Sequence, residues 1–520
     1  MITSAFPPLA PVEGRETNNI ISSTTSSQNH LAPPLTFPVD IKYDGIEPAK
    51  KMDLREAEQV VKQYFLNNFT ETGQIRAAQT THYHDHDWVR DSALAFENLL
   101  DLYANSTSQR VALADRIKLY VLSCKQKQTV AQARIKEMLA ENPQLSEAEQ
   151  IKIRGAAHFE IDDSFYKQGW GDPQHDGPAL RSLGLIRLSH ALAKLPQNDP
   201  LKTNFDALTY NTLQEVITED LQYTLTVTSK LQTPEAHLFA GYDYWEMDKG
   251  QNFSSLLAER DALAAGKNYY LSANNEAKAL ECQQNIEKIN RALERHYDKG
   301  FVKNCIDQQH GFNHERDVQV VLAALYNKNI DSSFSILDDR ILQTAYHIEK
   351  DFKDLEDYYI NRKSEYGGLG TAIGRYKEDQ WDGDVATGGK PAGAWYIATL
   401  AYAELHYRLK DAISDKKQIE ITERNYEFFN SVLGGQLHSS VKTVKNNNPL
   451  FDKILKGLET KGDGFLNRVI YHAGRAPDQF AMPEQFDRFQ GYWQGPKHLT
   501  WSYGAFLNAV KYRERRSLSY

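Results

Sequence analysis

Ala392-Gly-Ala-Trp-Tyr-Ile-Ala-Thr-Leu-Ala-Tyr-Ala-Glu-Leu-His-Tyr-Arg-Leu-Lys410 decides the fold class. The stretch is long enough for a helix and apolar nearly all round, so a helix here needs neighbours on every side. The stretch opened by Asp176-Gly-Pro has the same character, with Asp176 as cap and Pro178 in the first turn, running through Leu180, Leu183, Ile186 and Leu192 until Pro196 stops it. By contrast, 276–297 and 417–433 carry a wet face. Buried and amphipathic helices recurring along one chain predict an all-α toroid of helical hairpins, with buried inner and amphipathic outer helices. Loops at one end of such a toroid line a central pocket.

Helical spacing continues on both sides of this stretch. Ala57, Val60, Val61, Tyr64 and Phe65 mark a first amphipathic helix behind Asp53, and Ala93, Phe96, Leu99, Leu100 and Tyr103 mark the next. Further helices are expected over 108–123, 128–141, 203–217, 253–272, 317–327, 334–350 and 500–513, with Gly434 and Gly435 capping 417–433. No strand alternation of comparable length intervenes. Residues 1–45, rich in Ser, Thr, Pro and Asn, read as an extended arm, and 46–520 as one catalytic domain.

A net charge of -9 argues against a nucleic-acid partner, which demands a basic face, and favours a neutral or cationic ligand. Mean hydropathy of -0.59 and the lack of a long apolar run argue against a membrane. Three widely spaced cysteines, Cys124, Cys282 and Cys305, suggest neither a disulfide framework nor a metal site. The first residues lack a basic n-region and an apolar h-region, so the chain is expected to be cytoplasmic or exported by a non-classical route. A monomer without cofactor or metal is expected.

Chemistry is concentrated in a few segments. Gly241-Tyr-Asp-Tyr-Trp-Glu-Met-Asp248 sets Glu246 behind Trp245 and three residues after Asp243. Aromatic faces and a neighbouring acid both favour a carboxyl that keeps its proton near neutrality. Thr81-His-Tyr-His-Asp-His-Asp-Trp-Val-Arg-Asp91 has two readings. His82, His84 and His86 alternate, as the ligands of a metal on an extended segment would. Alternatively, the segment is a loop delivering Trp88, Arg90 and Asp91 to sugar hydroxyls. The loop 158–181 offers Tyr166 and Trp170, and Met482-Pro-Glu-Gln-Phe-Asp487 holds a second carboxylate, Glu484. Two remote carboxyls, one in an apolar setting and one better solvated, are what glycoside hydrolysis needs, with their pKa values pushed apart.

WVRDSAL at 88–94, WGDPQHDGPALR at 170–181, GYDYWE at 241–246, GRYKED at 374–379, EQFD at 484–487 and LTWSY at 499–503 together resemble the glucoamylases, inverting glycoside hydrolases of family 15. The resemblance implies an (α/α)6 barrel and removal of β-glucose from non-reducing ends of α-1,4-glucans such as starch, glycogen and maltooligosaccharides. It makes Glu246 similar to the general acid and Glu484 to the general base. It implies that Arg90, Asp91 and Arg375 hold the terminal glucose, with Trp88, Tyr166, Trp170, Trp245 and Trp501 as walls, Asp243 supporting the acid and Gln485 beside the base. Two departures stand out: Met247 where the family commonly has a second Glu, and HDHD at 84–87 where it has a Tyr-rich run, which is expected to bring His84 near the pocket. An insertion-like stretch, 384–391, follows GRYKED.

Overall fold

The computed structural model describes residues 54–515 apart from 168, 313, 364–367, 384–390 and 476–477, with the backbone only for His82. The arm expected over 1–45, and the stretch 384–391 except Pro391, lie outside these residues. Fifteen α-helices are described: α1 (Leu54–Asn67), α2 (Val89–Asn105), α3 (Arg110–Glu141), α4 (Glu147–Arg154), α5 (Asp176–Lys194), α6 (Pro200–Asn204), α7 (Ala207–Ser229), α8 (Phe253–Ser272), α9 (Glu276–Glu294), α10 (Gln319–Tyr326), α11 (Asp339–Asp354), α12 (Tyr396–Lys416), α13 (Tyr426–Val432), α14 (Pro449–Ala473) and α15 (Thr500–Arg513).

Six of them close a ring. α2 packs on α5, α5 on α8, α8 on α10, α10 on α12, α12 on α15, and α15 back on α2. These are the helices without a wet face: in α12 every residue from Tyr396 to Tyr407 is buried. A second set lies outside them, α1 against α15, α3 against α2, α7 against α5, α9 against α8, α11 against α10 and α14 against α12. The outer helices bury one stripe each, as α11 does with Ile341, Ala345, Ile348 and Phe352. The architecture is the (α/α)6 barrel.

Some boundaries differ from the sequence reading. The helices expected over 108–123 and 128–141 are one, because Lys127, in the polar seam between them, is buried and satisfied: its Nζ pairs with Asp87 (2.8 Å) and Asp163 (3.0 Å). The stretch 417–433 splits, since Lys417 enters the left-handed region and ends α12, a short strand follows, and only Tyr426–Val432 is helical. Gly434 and Gly435 do follow that helix at positive φ. α14 is not among the expected helices; it carries Gly457, Gly462 and Gly464, and packing against α12 outweighs their poor helix propensity. The residue capping α5 is His175, one before the expected Asp176, and it makes no side-chain cap bond.

Short strands fill the loops: β1 (His86–Trp88), β2 (His158–Glu160), β3 (Gly241–Tyr242), β4 (Lys249–Asn252), β5 (Tyr297–Asp298), β6 (Phe301–Val302), β7 (Cys305–His310), β8 (Ala394–Trp395), β9 (Gln418–Glu420), β10 (Thr443–Lys445), β11 (Gln485–Phe486) and β12 (Trp493–Gln494). β1, β4 and β8 lead directly into α2, α8 and α12, so the strands sit at the N-terminal ends of inner-ring helices.

Candidate active site

The motif segments all converge at those ends. Residues 88–91 open α2, 170–176 precede α5, 241–252 precede α8, Asp317 precedes α10, Trp395 precedes α12 and Trp501 lies in the first turn of α15. The pairing of β1 with β2 sets Trp88 opposite His158, and the two rings stack at 4.6 Å.

Glu246 rides on the β3–β4 hairpin, where Gly241 pairs with Gly250 and Tyr242 with Lys249. Asp243 shapes the tip: its Oδ1 accepts the N–H groups of Met247 (2.9 Å) and Asp248 (3.1 Å), and its Oδ2 accepts from Gln319 Nε2 (2.6 Å). Glu246 itself has φ +62°. Its Oε1 accepts from Trp88 Nε1 (2.5 Å) and Gln174 Nε2 (2.9 Å). Gly171, at φ +61°, lies so close that a Cβ there would sit 2.8 Å from Glu246 Cβ. Burial pushes the carboxyl up to about 7, against the pull of Arg90 and of the two hydrogen bonds.

The raised pKa matches the sequence reading, but its sources differ. The aromatic at the carboxyl is Trp88, from another motif, while Trp245 faces Trp395 (5.1 Å) and Trp501 (5.8 Å) and donates its N–H to Asp317. Asp243 spends its oxygens on backbone and Gln319, and the acid acting on Glu246 is Asp91.

Glu484 sits on a second small sheet. β11 lies between β8 and β12, with Gln485 opposite both Trp395 and Gln494. Glu484 Oε2 accepts from Trp381 Nε1 (2.9 Å) and Gln485 Nε2 (3.2 Å). Here too a glycine at positive φ makes room, since a Cβ on Gly383 would fall 3.0 Å from Glu484 Oε2. Glu484 is the better-solvated partner in the sequence reading, yet it is buried, and burial pushes it up to about 7 as well. Both carboxyls are thus raised by burial rather than pushed apart, and among the described residues each accepts from one indole and one glutamine amide. Gln485, expected to read substrate, has its amide engaged in the frame. Its Nε2 also donates to Trp381 O (2.9 Å), and its Oε1 accepts from Gly393 N (2.7 Å) and Gln494 Nε2 (3.1 Å).

Two buried arginines flank the carboxyls. Arg90 donates to Gln174 Oε1 (2.6 Å) and Asp91 Oδ1 (3.1 Å) and lies over Trp501 at 4.9 Å. Arg375 is forked onto Asp379 (2.6 and 2.7 Å) and lies over Trp395 (5.0 Å) and Trp245 (5.5 Å). Tyr166 is half-buried against His158 (4.5 Å), and half-buried Trp170 adjoins the glycine pressed on Glu246.

The histidine run departs from its expected form. Residues 82–85 make a 3-10 turn, and only 86–88 are extended, so the alternation needed for a shared metal face is lost. His84 turns outward, 42% exposed, to Asp85, whereas His86 packs inward between His158 and Tyr166. Among the described residues no group of three or more His, Cys, Asp or Glu is placed to hold a metal ion. Tyr83, masked in sequence by its histidine neighbours, takes the position expected of His84. It stacks on Trp88 at 5.1 Å, and burial together with the charges of Glu484 and Glu246 holds its phenol well above the ordinary tyrosine value. Tyr83 thus lies within electrostatic reach of both carboxyls. Gln174, Trp381 and Trp395 also escape the sequence reading. Gln174 lies inside the WGDPQHDGPALR motif, but nothing in the sequence marks Trp381.

Comparison with known proteins agrees with this geometry. Residues 57–511 match the model of the family described as "Glycosyl hydrolases family 15". The chain is 28% identical over 470 residues to a glucoamylase of Blastobotrys adeninivorans, covering 88% of this chain and 70% of that protein. It is 28% identical to a glucoamylase of Saccharomycopsis fibuligera, covering 85% and 84%. The solved structure of a Saccharomycopsis fibuligera glucoamylase superposes with a TM-score of 0.74 at 25% identity, covering 91% of this chain and 98% of that one. With a ring of six inner and six outer helices, a pocket at the inner N-termini and a family match across nearly the whole barrel, the chain belongs to glycosyl hydrolase family 15.

Proposed function

We propose that this protein is an exo-acting glycoside hydrolase that releases β-glucose with inversion from non-reducing ends of α-1,4-glucans. Glu246 serves as general acid and Glu484 as general base. The observation that supports these roles most is how each carboxyl is held. Glu246 is anchored through Oε1 and Glu484 through Oε2, each by one indole N–H and one glutamine amide. Among the described residues nothing bonds Glu246 Oε2 or Glu484 Oε1. Those two oxygens are left for chemistry.

Protonated Oε2 of Glu246 gives its proton to the glycosidic oxygen as the bond to the anomeric carbon breaks. Oε1 of Glu484 takes a proton from the water that attacks the opposite face, which inverts the configuration. The cycle ends with Glu246 ionised and Glu484 protonated. Arg90 and Arg375, desolvated and braced by carboxylates, orient the terminal sugar against Trp245 and Trp501. We propose further that it acts on its glucan as a monomer, with no nucleic-acid or membrane partner. No described helix is long and apolar enough to cross a membrane.

Met247 extends the proposal to the second sugar. Its sulfur accepts from Tyr376 Oη (3.3 Å), and Tyr376 is stacked on His314 at 3.5 Å. A thioether offers the next sugar packing rather than strong polar readout, so discrimination there is relaxed.

The direct test is glucose release from maltotriose by the wild type and by Glu246→Gln and Glu484→Gln. General acid–base catalysis contributes roughly 10²–10⁴-fold, so each variant is expected to lose at least that in kcat while still binding substrate. Near wild-type turnover in either variant would remove that residue from its role.

A further inference from the structure

Trp381 lies two residues beyond the GRYKED motif, and its three polar groups each reach the catalytic frame. Its N–H donates to Asp379 Oδ1 (2.9 Å), its carbonyl accepts from Gln485 Nε2 (2.9 Å), and its indole N–H donates to Glu484 Oε2 (2.9 Å). Asp379 in turn grips Arg375 through both carboxylate oxygens. A continuous chain of hydrogen bonds thus runs from the arginine on the pocket wall, through Asp379 and Trp381, to the carboxyl of Glu484. We infer that Trp381 is a positioning residue for the base: its indole N–H fixes the Glu484 carboxyl so that Oε1 faces the pocket, and ties that orientation to the arginine flanking the pocket.

The inference rests on Glu484 being the base. Three features support it. Gly383 and Gly495 lie against the carboxyl, since a Cβ on either would fall 3.0 or 3.3 Å from Glu484 Oε2. The backbone bonds of Trp381 are independent of its ring, so they hold the loop even when the indole N–H is lost. Finally, the only other donor to Oε2 among the described residues is Gln485, at a longer 3.2 Å and already shared with the Trp381 carbonyl.

A hydrogen bond donated to a carboxylate favours the ionised form, so removing it raises the carboxyl pKa. The base then stays protonated to higher pH, and the acid limb of the kcat/KM profile moves upward. For one charge-assisted bond the expected displacement is roughly 1–2 pH units. Two replacements test this on the full chain with maltotriose: Trp381→Phe, and Trp381 exchanged for β-(3-benzothienyl)alanine, which keeps the ring shape and replaces only the N–H by sulfur. Both are expected to raise the acid limb, leave the alkaline limb in place, lower kcat at pH 5 roughly ten-fold and change KM less than about two-fold. The benzothienyl form decides the matter if the phenylalanine form folds poorly. An acid limb in its wild-type position in the benzothienyl form would overturn the proposal while leaving the hydrolase reading intact. Absence of glucose release by the wild type would overturn both.

Discussion

Replacing Glu259 by glutamine gives a protein whose stability gains on the wild type as pH rises. Glu259 lies on inner helix α8, 2% exposed, at the edge of a cavity of about 280 Å³ shared with His175, Ser255 and Phe239. Among the described residues no hydrogen bond or ion pair reaches its carboxyl. Burial, with a smaller push from Asp176, raises it from 4.5 to about 8. Below pH 4.5 the group is protonated in both the folded and unfolded chain and costs nothing. Between 4.5 and 8 only the unfolded chain ionises, so wild-type stability falls as pH rises through that window. Integrated from pH 5 to pH 7, the loss is roughly 2–3 kcal/mol, which glutamine, never ionised, does not suffer. A barrel of this size unfolds with an entropy of about 1 kcal/mol per degree, so the midpoint difference between variant and wild type should widen by about 2–3 °C over that range. Thermal unfolding of both proteins in matched buffers at pH 5, 6 and 7 reads it. A midpoint difference that stays constant across the three pH values would refute the assignment of Glu259 as an unpaired buried acid.

Other predictions concern the catalytic pocket and the histidine run before it. Trp88→Phe removes an indole donor from Glu246, which destabilises its ionised form, so the alkaline limb of kcat/KM should rise by roughly one pH unit while the acid limb stays; a fixed alkaline limb would show that Trp88 does not tune the acid. Met247→Glu restores a charged acceptor beside the second sugar and should raise the kcat/KM ratio of maltose to isomaltose roughly ten-fold, a charge-assisted bond being worth about 1.5–3 kcal/mol; an unchanged ratio would mean Met247 does not govern that site. Exhaustive treatment with a chelator should leave glucose release intact, since His84 and His86 point apart, and loss restored by added zinc would revive the metal reading.

The ring of inner helices is legible in the amino-acid sequence. It shows in the contrast between all-apolar stretches such as that around Tyr396–Tyr407 and one-sided ones such as Ile341–Phe352, because an inner helix has no solvent face to keep polar. Helix ends are less legible. Lys127 looks like a polar break but is a buried partner of Asp87 and Asp163, and α14, with three glycines, is missed altogether. In the site, motif order locates Glu246, Glu484, Arg90 and Arg375. The means of holding them is hidden, since it depends on contacts between residues remote in sequence: Trp88 on Glu246 and Trp381 on Glu484. The expectation of a solvated base fails for the same reason, because nothing local to 482–487 shows that residues 381–383 close over it.

Inversion is the claim on which the pairing of Glu246 with Glu484 depends, and it can be watched directly. Proton NMR of maltotriose hydrolysis in the first minutes, before mutarotation, records the anomer of the glucose as it leaves. The account predicts the β-anomer signal rising first, with the α signal growing in only at the mutarotation rate. Glucose appearing first as the α-anomer would contradict it, since water would then have arrived on the face the leaving group vacated.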